Sequence, residues 1–332
     1  MTEHVSVVDI SRYQGTYNFK LGVEHGVQGW ILRATHARTI DLRLNEYVQG
    51  LRAAGVDDTQ VGFYTFVNPS RCDATTAAKV FVDAVRDARG DTDTFLMLDV
   101  ENYTDKSNLG SLPILQGEDF ADYLQEMADA VHEYAPTARV VIYSNAAYWN
   151  TWVGRVHVLG GYDIIVPRYI HYSEYAPKPP KDPEEWAGWC FSQPKRPQVP
   201  YGFSGWQGWQ FSAGYNSAGA FYGAQSKDLD LNIVDPVAWA RWTAPTPEYK
   251  NPDVVFLEDD MAQLAPELVR FRGYKNVFLF ADNTFTHLTD ESTARYRAAG
   301  IPDVVLDAHP QGLKSALSKA GLQWADLVVE GA

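Results

Sequence analysis

Short apolar runs alternate with amphipathic stretches along the first half of the chain. The runs are Val5 to Ile10, Gly29 to Arg33, Val61 to Phe66, Thr94 to Val100, Arg139 to Ser144 and Asp163 to Tyr169. Each has the length and content of a buried strand. Between them, Leu42 to Ala54, Ala74 to Arg89 and Gly117 to Glu133 place apolar residues near helical spacing. Strand and helix in alternation predict an α/β fold with a parallel sheet, open or closed into a barrel. After Tyr169 the texture changes to a Pro-rich, aromatic segment, His171 to Tyr201, followed by the runs Gly205 to Phe211 and Asp228 to Val234. Little helical material separates these last strands. The count fits an irregular TIM-like barrel with eight strands and about five helices rather than a regular (β/α)8 barrel.

The segment Thr243 to Pro252 carries three prolines and reads as a stiffened linker. It divides the chain into a domain over 1–242, a linker over 243–252 and a small α/β module over 253–332. In that module Val254 to Leu257, Val277 to Ala281 and Val304 to Leu306 read as strands, and Met261 to Phe271, Asp290 to Ala299 and Gly312 to Ala320 as helices. At about eighty residues it is near the lower limit for independent folding.

Polar residues at strand ends carry the chemistry. Asp99 and Glu101 follow the apolar run Phe95 to Leu98. On one strand they would share a face, about 6–7 Å apart along the backbone. Two acids this close and this buried push a pKa upward, which turns a carboxyl into a proton donor near neutral pH. Asp9 closes the first strand and Asp230 lies in the last. In a parallel barrel such positions surround the active site. A lone acid there more often caps a turn, so the argument rests on the convergence of the four.

Composition narrows the partners. A net charge of −14, with 28 Lys and Arg spread along 332 residues, supplies no basic face for nucleic acid or an anionic membrane. No run of 18 apolar residues exists, so stable membrane insertion is not expected. Met1 to Ser6 lacks a basic segment leading into an apolar one, so no secretory signal is expected. Cys72 and Cys190 match neither a metal site nor a disulfide framework. Free buried thiols are expected, with one long-range bridge as the alternative. Glu258 to Asp260 lacks further ligands at metal spacing, the eight histidines form no catalytic pattern, and Gly-rich phosphate loops are absent. No cofactor and no metal is expected.

These residues carry a resemblance. Asp9-Ile10-Ser11-Arg12-Tyr13-Gln14-Gly15 is similar to the opening motif of glycoside hydrolase family 25, the Chalaropsis-type muramidases. Leu98-Asp99-Val100-Glu101 resembles the acid pair of that family, and Trp209-Gln210-Phe211-Ser212 with Asp230-Leu231-Asn232 its last two strands. Gly62 to Phe66 and Ile142 to Asn145 fill the places of its third and fifth strands, so the resemblance covers about 5–242. Tyr13 stands where the family usually has Trp, Thr65 where it commonly has His, and Pro167-Arg168-Tyr169 is an atypical sixth strand. These departures alter the cleft wall and leave the four acids matched.

The resemblance implies hydrolysis of the β-1,4 bond between N-acetylmuramic acid and N-acetylglucosamine in peptidoglycan. Glu101 would be the general acid, and Asp99 would stay ionised and orient the 2-acetamido group as it attacks the anomeric carbon. An inverting route in which an acid activates water is the rival. Asp9 and Asp230 would hold the pair in position. Tyr64 and Tyr143 are candidates for hydrogen bonds to the acetamido group or Asp99, with barrel filling as the alternative. Tyr13, Tyr169 and Trp209 are candidates for stacking on sugar, Gln210 shares the motif of Trp209, and Arg33 would pair with an acid or touch substrate; packing is the alternative for each.

The leading expectation is a phage endolysin, held in the host cytoplasm until release to the cell wall, with glycan strands as partner and wall binding by 253–332. A virion-associated wall-penetrating protein is the non-enzymatic alternative. A chitinase-like hydrolase is the other, although the acidic run expected before Asp99 is replaced by Phe95 and Met97.

Overall fold

The computed structural model describes residues 4–154, 159, 161–171 and 175–244, and five strands beyond them. The chain divides into two units, Met1–Glu248 and Tyr249–Ala332. In the first, strands β1 (Val5–Ile10), β2 (Gly29–His36), β3 (Thr39–Ile40), β4 (Val61–Phe66), β5 (Phe95–Asp99), β6 (Arg139–Tyr143), β7 (Asp163–His171), β8 (Gly208–Ser212) and β9 (Asp230–Val234) form one sheet. Its order is β1-β9-β8-β7-β6-β5-β4-β2-β3, and the pairing of β1 with β2 closes eight of these strands into a barrel. The two-residue β3 only extends the edge of β2.

The barrel is mixed rather than wholly parallel. Strand β9 runs antiparallel to both neighbours, β1 and β8, while the other barrel pairings are parallel. Direction leaves no mark on an apolar run, so the pattern along Asp228 to Val234 could not show the reversal.

Seven α-helices are present among the described residues instead of about five: α1 (Phe19–Glu24), α2 (Leu44–Ala53), α3 (Ala74–Arg89), α4 (Glu118–Tyr134), α5 (Ala146–Trp152), α6 (Trp186–Ser192) and α7 (Pro236–Thr243). The long ones, α2 to α4, are the amphipathic stretches. The others have at most eight residues, too few for periodicity to show, and tertiary packing rather than propensity holds them. Local caps fix their starts. Asn145 accepts the Tyr148 amide at 2.7 Å, and Asp235 accepts that of Ala238 at 2.8 Å ahead of Pro236 at the first helical position.

Strand parity separates two cores. Val8, Leu32, Phe63, Leu96, Leu98, Ile142, Ile164 and Trp209 pack outward with the helix residues. Val7, Ile31, Tyr64, Phe95, Met97, Val141, Tyr143 and Ile165 fill the barrel with Val234 and α7 residues Ala238, Trp239 and Trp242. Helix α7 thus plugs the end of the barrel opposite the carboxyl ends of the parallel strands. The Trp242 indole donates to Asp163 Oδ2 at 2.6 Å, and Phe95 meets Trp239 and Trp242 at centroid distances of 5.5 and 5.3 Å. A Cβ on Gly62 would lie 2.0 Å from the Phe95 ring, so the missing side chain makes room for the phenyl group.

The second unit shows a five-stranded sheet of order β13-β10-β11-β12-β14, from β10 (Glu267–Phe271), β11 (Val277–Ala281), β12 (Thr284–Leu288), β13 (Asp303–Leu306) and β14 (Val328–Glu330). Residues 267–271 are therefore strand where the sequence predicts the end of a helix; a short apolar run does not reveal which period it follows. Strands β12 and β14 had no counterpart in the sequence reading. The segments 254–257, 290–299 and 312–320, expected as strand and helices, lie outside the described residues.

Candidate active site

Inward parity at the carboxyl ends of the parallel strands brings the polar residues together. Asp9 follows Val7 by two on β1, and Asp99 follows Met97 by two on β5, so both turn into the barrel. Gln210 lies between the outward Trp209 and Phe211. On β9, Asp230 and Asn232 alternate with the outward Leu231 and Ile233. Because β9 is reversed, its start, rather than its end, reaches this face, and Asp230 stands directly across from Asp9. Together they line a cavity of about 100 Å³ with Glu101, Tyr64, Tyr143, Tyr169, Ile31, Met97 and Ile165. That is space for roughly three waters or one small substituent.

Glu101 is not on the strand. Strand β5 ends at Asp99, whose carbonyl accepts the Val67 amide at 2.9 Å, and Val100 donates to the Tyr143 carbonyl at 2.8 Å. The chain then turns, with the Tyr103 amide donating to the Glu101 carbonyl at 2.6 Å. Tyr103 is fully buried and anchors that turn: its hydroxyl donates to the Leu115 carbonyl at 2.6 Å and accepts the Leu115 amide at 2.8 Å. The pair is therefore one strand residue and one turn residue, not two on one strand face.

The four acids are not equivalent. Asp9 Oδ2 accepts from Gln210 Nε2 and Asn232 Nδ2, each at 2.8 Å, and Asp9 shares a carboxyl–carboxyl hydrogen bond with Asp230. Burial raises both pKa values, and the charge of Asp9 raises that of Asp230 further. The proton of this couple therefore sits on Asp230, and Asp9, with its two amide donors, keeps the charge. Burial pushes Glu101 up to about 7, assisted by the charges of Asp9 and Asp105. Asp99 is also pushed well up, by burial and then by Glu101 and Asp9, while Arg33 pulls it down. This corrects the expectation that Asp99 is simply the ionised member: Asp99 and Glu101 titrate as a pair. Asp99 Oδ1 is buried without a hydrogen-bond partner.

Gln210 organises the opposite wall. Its Oε1 accepts from Tyr143 at 2.7 Å and Tyr169 at 3.0 Å, which fixes the amide so that Nε2 faces Asp9. The hydroxyl protons of both phenols are thereby spent on Gln210. Tyr143, expected to donate to substrate or Asp99, instead offers only its oxygen as acceptor. Tyr64 is the pocket phenol with no such commitment among the described residues.

Other expected residues are placed differently. Trp209 is wholly buried on the outer side of its strand and donates its indole N–H to the Arg168 carbonyl at 2.8 Å, so it has no face open to a sugar. The Arg33 guanidinium is committed to Asp41, with contacts of 2.8 and 2.7 Å, and Asp41 also accepts the backbone amides of Arg12 and Arg43. Tyr13, 68% exposed, lies outside the pocket against Arg12 and Arg33, whose guanidinium carbons are 5.2 and 5.0 Å from its ring centre. Thr65 is buried and bonded to Thr35 at 2.7 Å, so it does not shape the pocket wall. Asn232 and Asp41 escaped the sequence reading. The parity of Asp230 would have pointed to Asn232; Asp41 sits in a loop with no periodic signal.

Among the described residues no group of His, Cys, Asp and Glu is arranged to hold a metal ion, and no helix is long and apolar enough to cross a membrane. Cys72 and Cys190 are free and buried.

Comparison with known proteins places this geometry. The family model described as glycosyl hydrolases family 25 matches residues 8–220. A bacterial lysozyme from Streptomyces coelicolor is 22% identical, covering 73% of this chain and 97% of its own, with a TM-score of 0.53. A family 25 lysozyme from Aspergillus fumigatus is 21% identical over 73% and 99%, with a TM-score of 0.52. The catalytic domain of an endolysin from a bacteriophage of Listeria monocytogenes is 21% identical over 72% and 97%, with a TM-score of 0.50. At these identities the shared property is the fold. No curated protein matches the chain.

Proposed function

The chain belongs to the glycosyl hydrolases of family 25, and from that premise we propose that it is an N-acetylmuramidase cleaving the β-1,4 bond between N-acetylmuramic acid and N-acetylglucosamine in peptidoglycan. The observation that carries this reading is a single cavity at the carboxyl ends of the strands where four acids converge and Glu101 has its pKa raised to about 7. Glu101 gives its proton to the glycosidic oxygen as the bond to the anomeric carbon breaks. In the free enzyme the charge of Glu101 raises Asp99 and not the reverse, which leaves the pair's proton on Asp99; in the reacting state the acetamido N–H favours the Asp99 carboxylate, and the proton passes to Glu101. Asp99 is ionised, and its unpartnered Oδ1 accepts from the substrate acetamido N–H.

That contact turns the acetamido oxygen toward the anomeric carbon and stabilises the positive charge that develops on the group. Water then opens the cyclic intermediate, returning a proton to Glu101. The ionised Asp9, fixed by Gln210 and Asn232, supports the cationic transition state, and Tyr64 has a hydroxyl proton to offer the acetamido oxygen. Digestion of purified peptidoglycan followed by reduction of the new reducing ends tests the reading. Reduced muramic acid supports it, and reduced glucosamine or no new ends refutes it.

We extend the proposal to the role of a phage endolysin, supported by the likeness to the catalytic domain of a Listeria phage endolysin. The protein would be held in the host cytoplasm and reach the wall when a membrane partner releases it. Cytoplasmic expression should then leave bacteria intact until the membrane is permeabilised. Wall binding is proposed for residues 253–332; equal sedimentation with cell walls by the full chain and by a chain lacking them would remove it.

A further inference from the structure

Beside the acid cavity a second groove of about 480 Å³ opens, lined by Arg168, Tyr169, Ile170, Gln193, Pro194 and Lys195. Tyr169 lines both, so the groove and the acid cavity share a wall. In a chain of net charge −14, the described residues of this lining include two cations and no carboxylate. Arg168 and Lys195 are exposed and have no ion-pair partner among the described residues. Arg33, by contrast, is spent on Asp41.

The backbone that carries the two cations is fixed. The Arg168 carbonyl accepts the buried Trp209 indole at 2.8 Å. Arg196 bonds the carbonyls of Cys190, Phe191 and Gln193 and lies 5.1 Å over the Phe191 ring and 6.0 Å from that of Trp209. The two exposed charges thus extend from backbone that these bonds hold beside the cleft. An acid cluster repels anions, so a substrate with negative charge near the scissile bond requires compensation of this kind.

We propose that this groove is a subsite for the carboxylates of the peptide stem carried by the muramic acid residue, with Arg168 and Lys195 as specificity-determining residues. The proposal rests on the muramidase reading: the stem is the one part of that substrate that is both anionic and attached next to the cleaved bond. A guanidinium and an ammonium flanking Tyr169 read the carboxylates along the stem, which lie beyond the lactyl group that the stem's first amide bond neutralises.

Calorimetric titration of the full chain with N-acetylmuramyl-L-alanyl-D-glutamate and with its fully amidated form tests the assignment. The free acid should bind about tenfold more tightly, with a difference that shrinks as salt rises and vanishes in the double variant Arg168→Gln/Lys195→Gln. Equal binding of the two forms, or an unchanged difference in the variant, overturns it. A second measurement compares kcat/KM on strands whose stem carboxylates are free and on the same strands after carbodiimide-driven amidation. The parent should prefer the free-acid strands about tenfold, and the double variant should lose that preference while matching the parent on amidated strands. Equal loss on both substrates overturns the subsite. Failure of the muramidase reading would appear separately, as the absence of new muramic acid ends from either substrate, while the titration still decides the groove.

Discussion

Replacing Glu101 by Gln should cut turnover steeply and stabilise the barrel, with a pH dependence that follows the raised pKa of this carboxyl. Burial raises the Glu101 pKa from 4.5 to about 7. Below pH 4.5 the group is protonated in folded and unfolded chains alike, so it contributes no difference. Between 4.5 and 7 the unfolded chain ionises first, and the folded chain is progressively penalised for holding the proton. Above 7 the carboxylate is charged in both states and the folded chain carries the full cost. A shift of this size corresponds to about 3 kcal/mol at 1.36 kcal/mol per pH unit.

Gln at this position has the same shape and no charge to bury. Its stability advantage should therefore be near zero at pH 4, grow through pH 6 and level off at about 3 kcal/mol near pH 8. Denaturant unfolding followed by Trp emission reads this out, since nine of the ten tryptophans precede the linker. The same variant should lose about 100- to 10,000-fold in kcat, the range for a missing general acid. An advantage that is equally large at pH 4, or absent at pH 8, refutes the assignment of the raised pKa to Glu101. Full activity in the variant refutes its role as the acid.

Other substitutions probe the frame around the pair. Gln210→Leu strips Asp9 of a donor and leaves two phenols without their acceptor; a loss of about 2–4 kcal/mol in unfolding free energy is expected, and an unchanged melting curve would contradict the network. Trp209→Phe should cost about 1–3 kcal/mol through the lost indole bond and smaller volume with KM unchanged; a raised KM at unchanged stability would restore it as a sugar-stacking residue. Gly62→Ala should abolish soluble expression or cost at least about 3 kcal/mol through collision with Phe95, and Phe95→Leu in the same chain should recover part of it. For the parent enzyme, kcat/KM should fall as pH rises through about 7 while the proton leaves Glu101. A profile flat to pH 9 would exclude that group as the donor.

Much of the barrel was legible because its strands are buried on both sides and read as unbroken apolar runs. β1 and β4 have the bounds read from the sequence, and α3 does as well. The acids were legible for a related reason: charge at the end of such a run needs a use. What escaped has a physical cause in each case. Aromatic character alone leaves Trp209 open to sugar stacking or packing, and it is strand parity, with the neighbouring Gln210 facing inward, that puts Trp209 in the outer core. Glu101 reads as a strand residue because the bend that follows Asp99 has no compositional mark. The hydrogen bonds that spend the Tyr143 and Tyr169 protons join residues on three strands, and no local pattern encodes them. In the second unit, a short apolar run fits either period, and residues 267–271, expected as the end of a helix over Met261 to Phe271, are strand.

The pairing of β1 with β9 also sets when this protein can first act. Asn232 donates to Asp9 across a sequence separation of 223 residues. Such closure carries a large loop entropy and belongs late in folding. During synthesis Asp9 emerges early, yet its partners on β8 and β9 and the plug formed by α7 follow only when the barrel is almost fully translated. Until then the sheet lacks its seam and the acids lack their geometry. A ribosome-bound fragment ending before Asp230 should therefore be devoid of hydrolytic activity, so hydrolysis can begin only after β9 has joined the sheet.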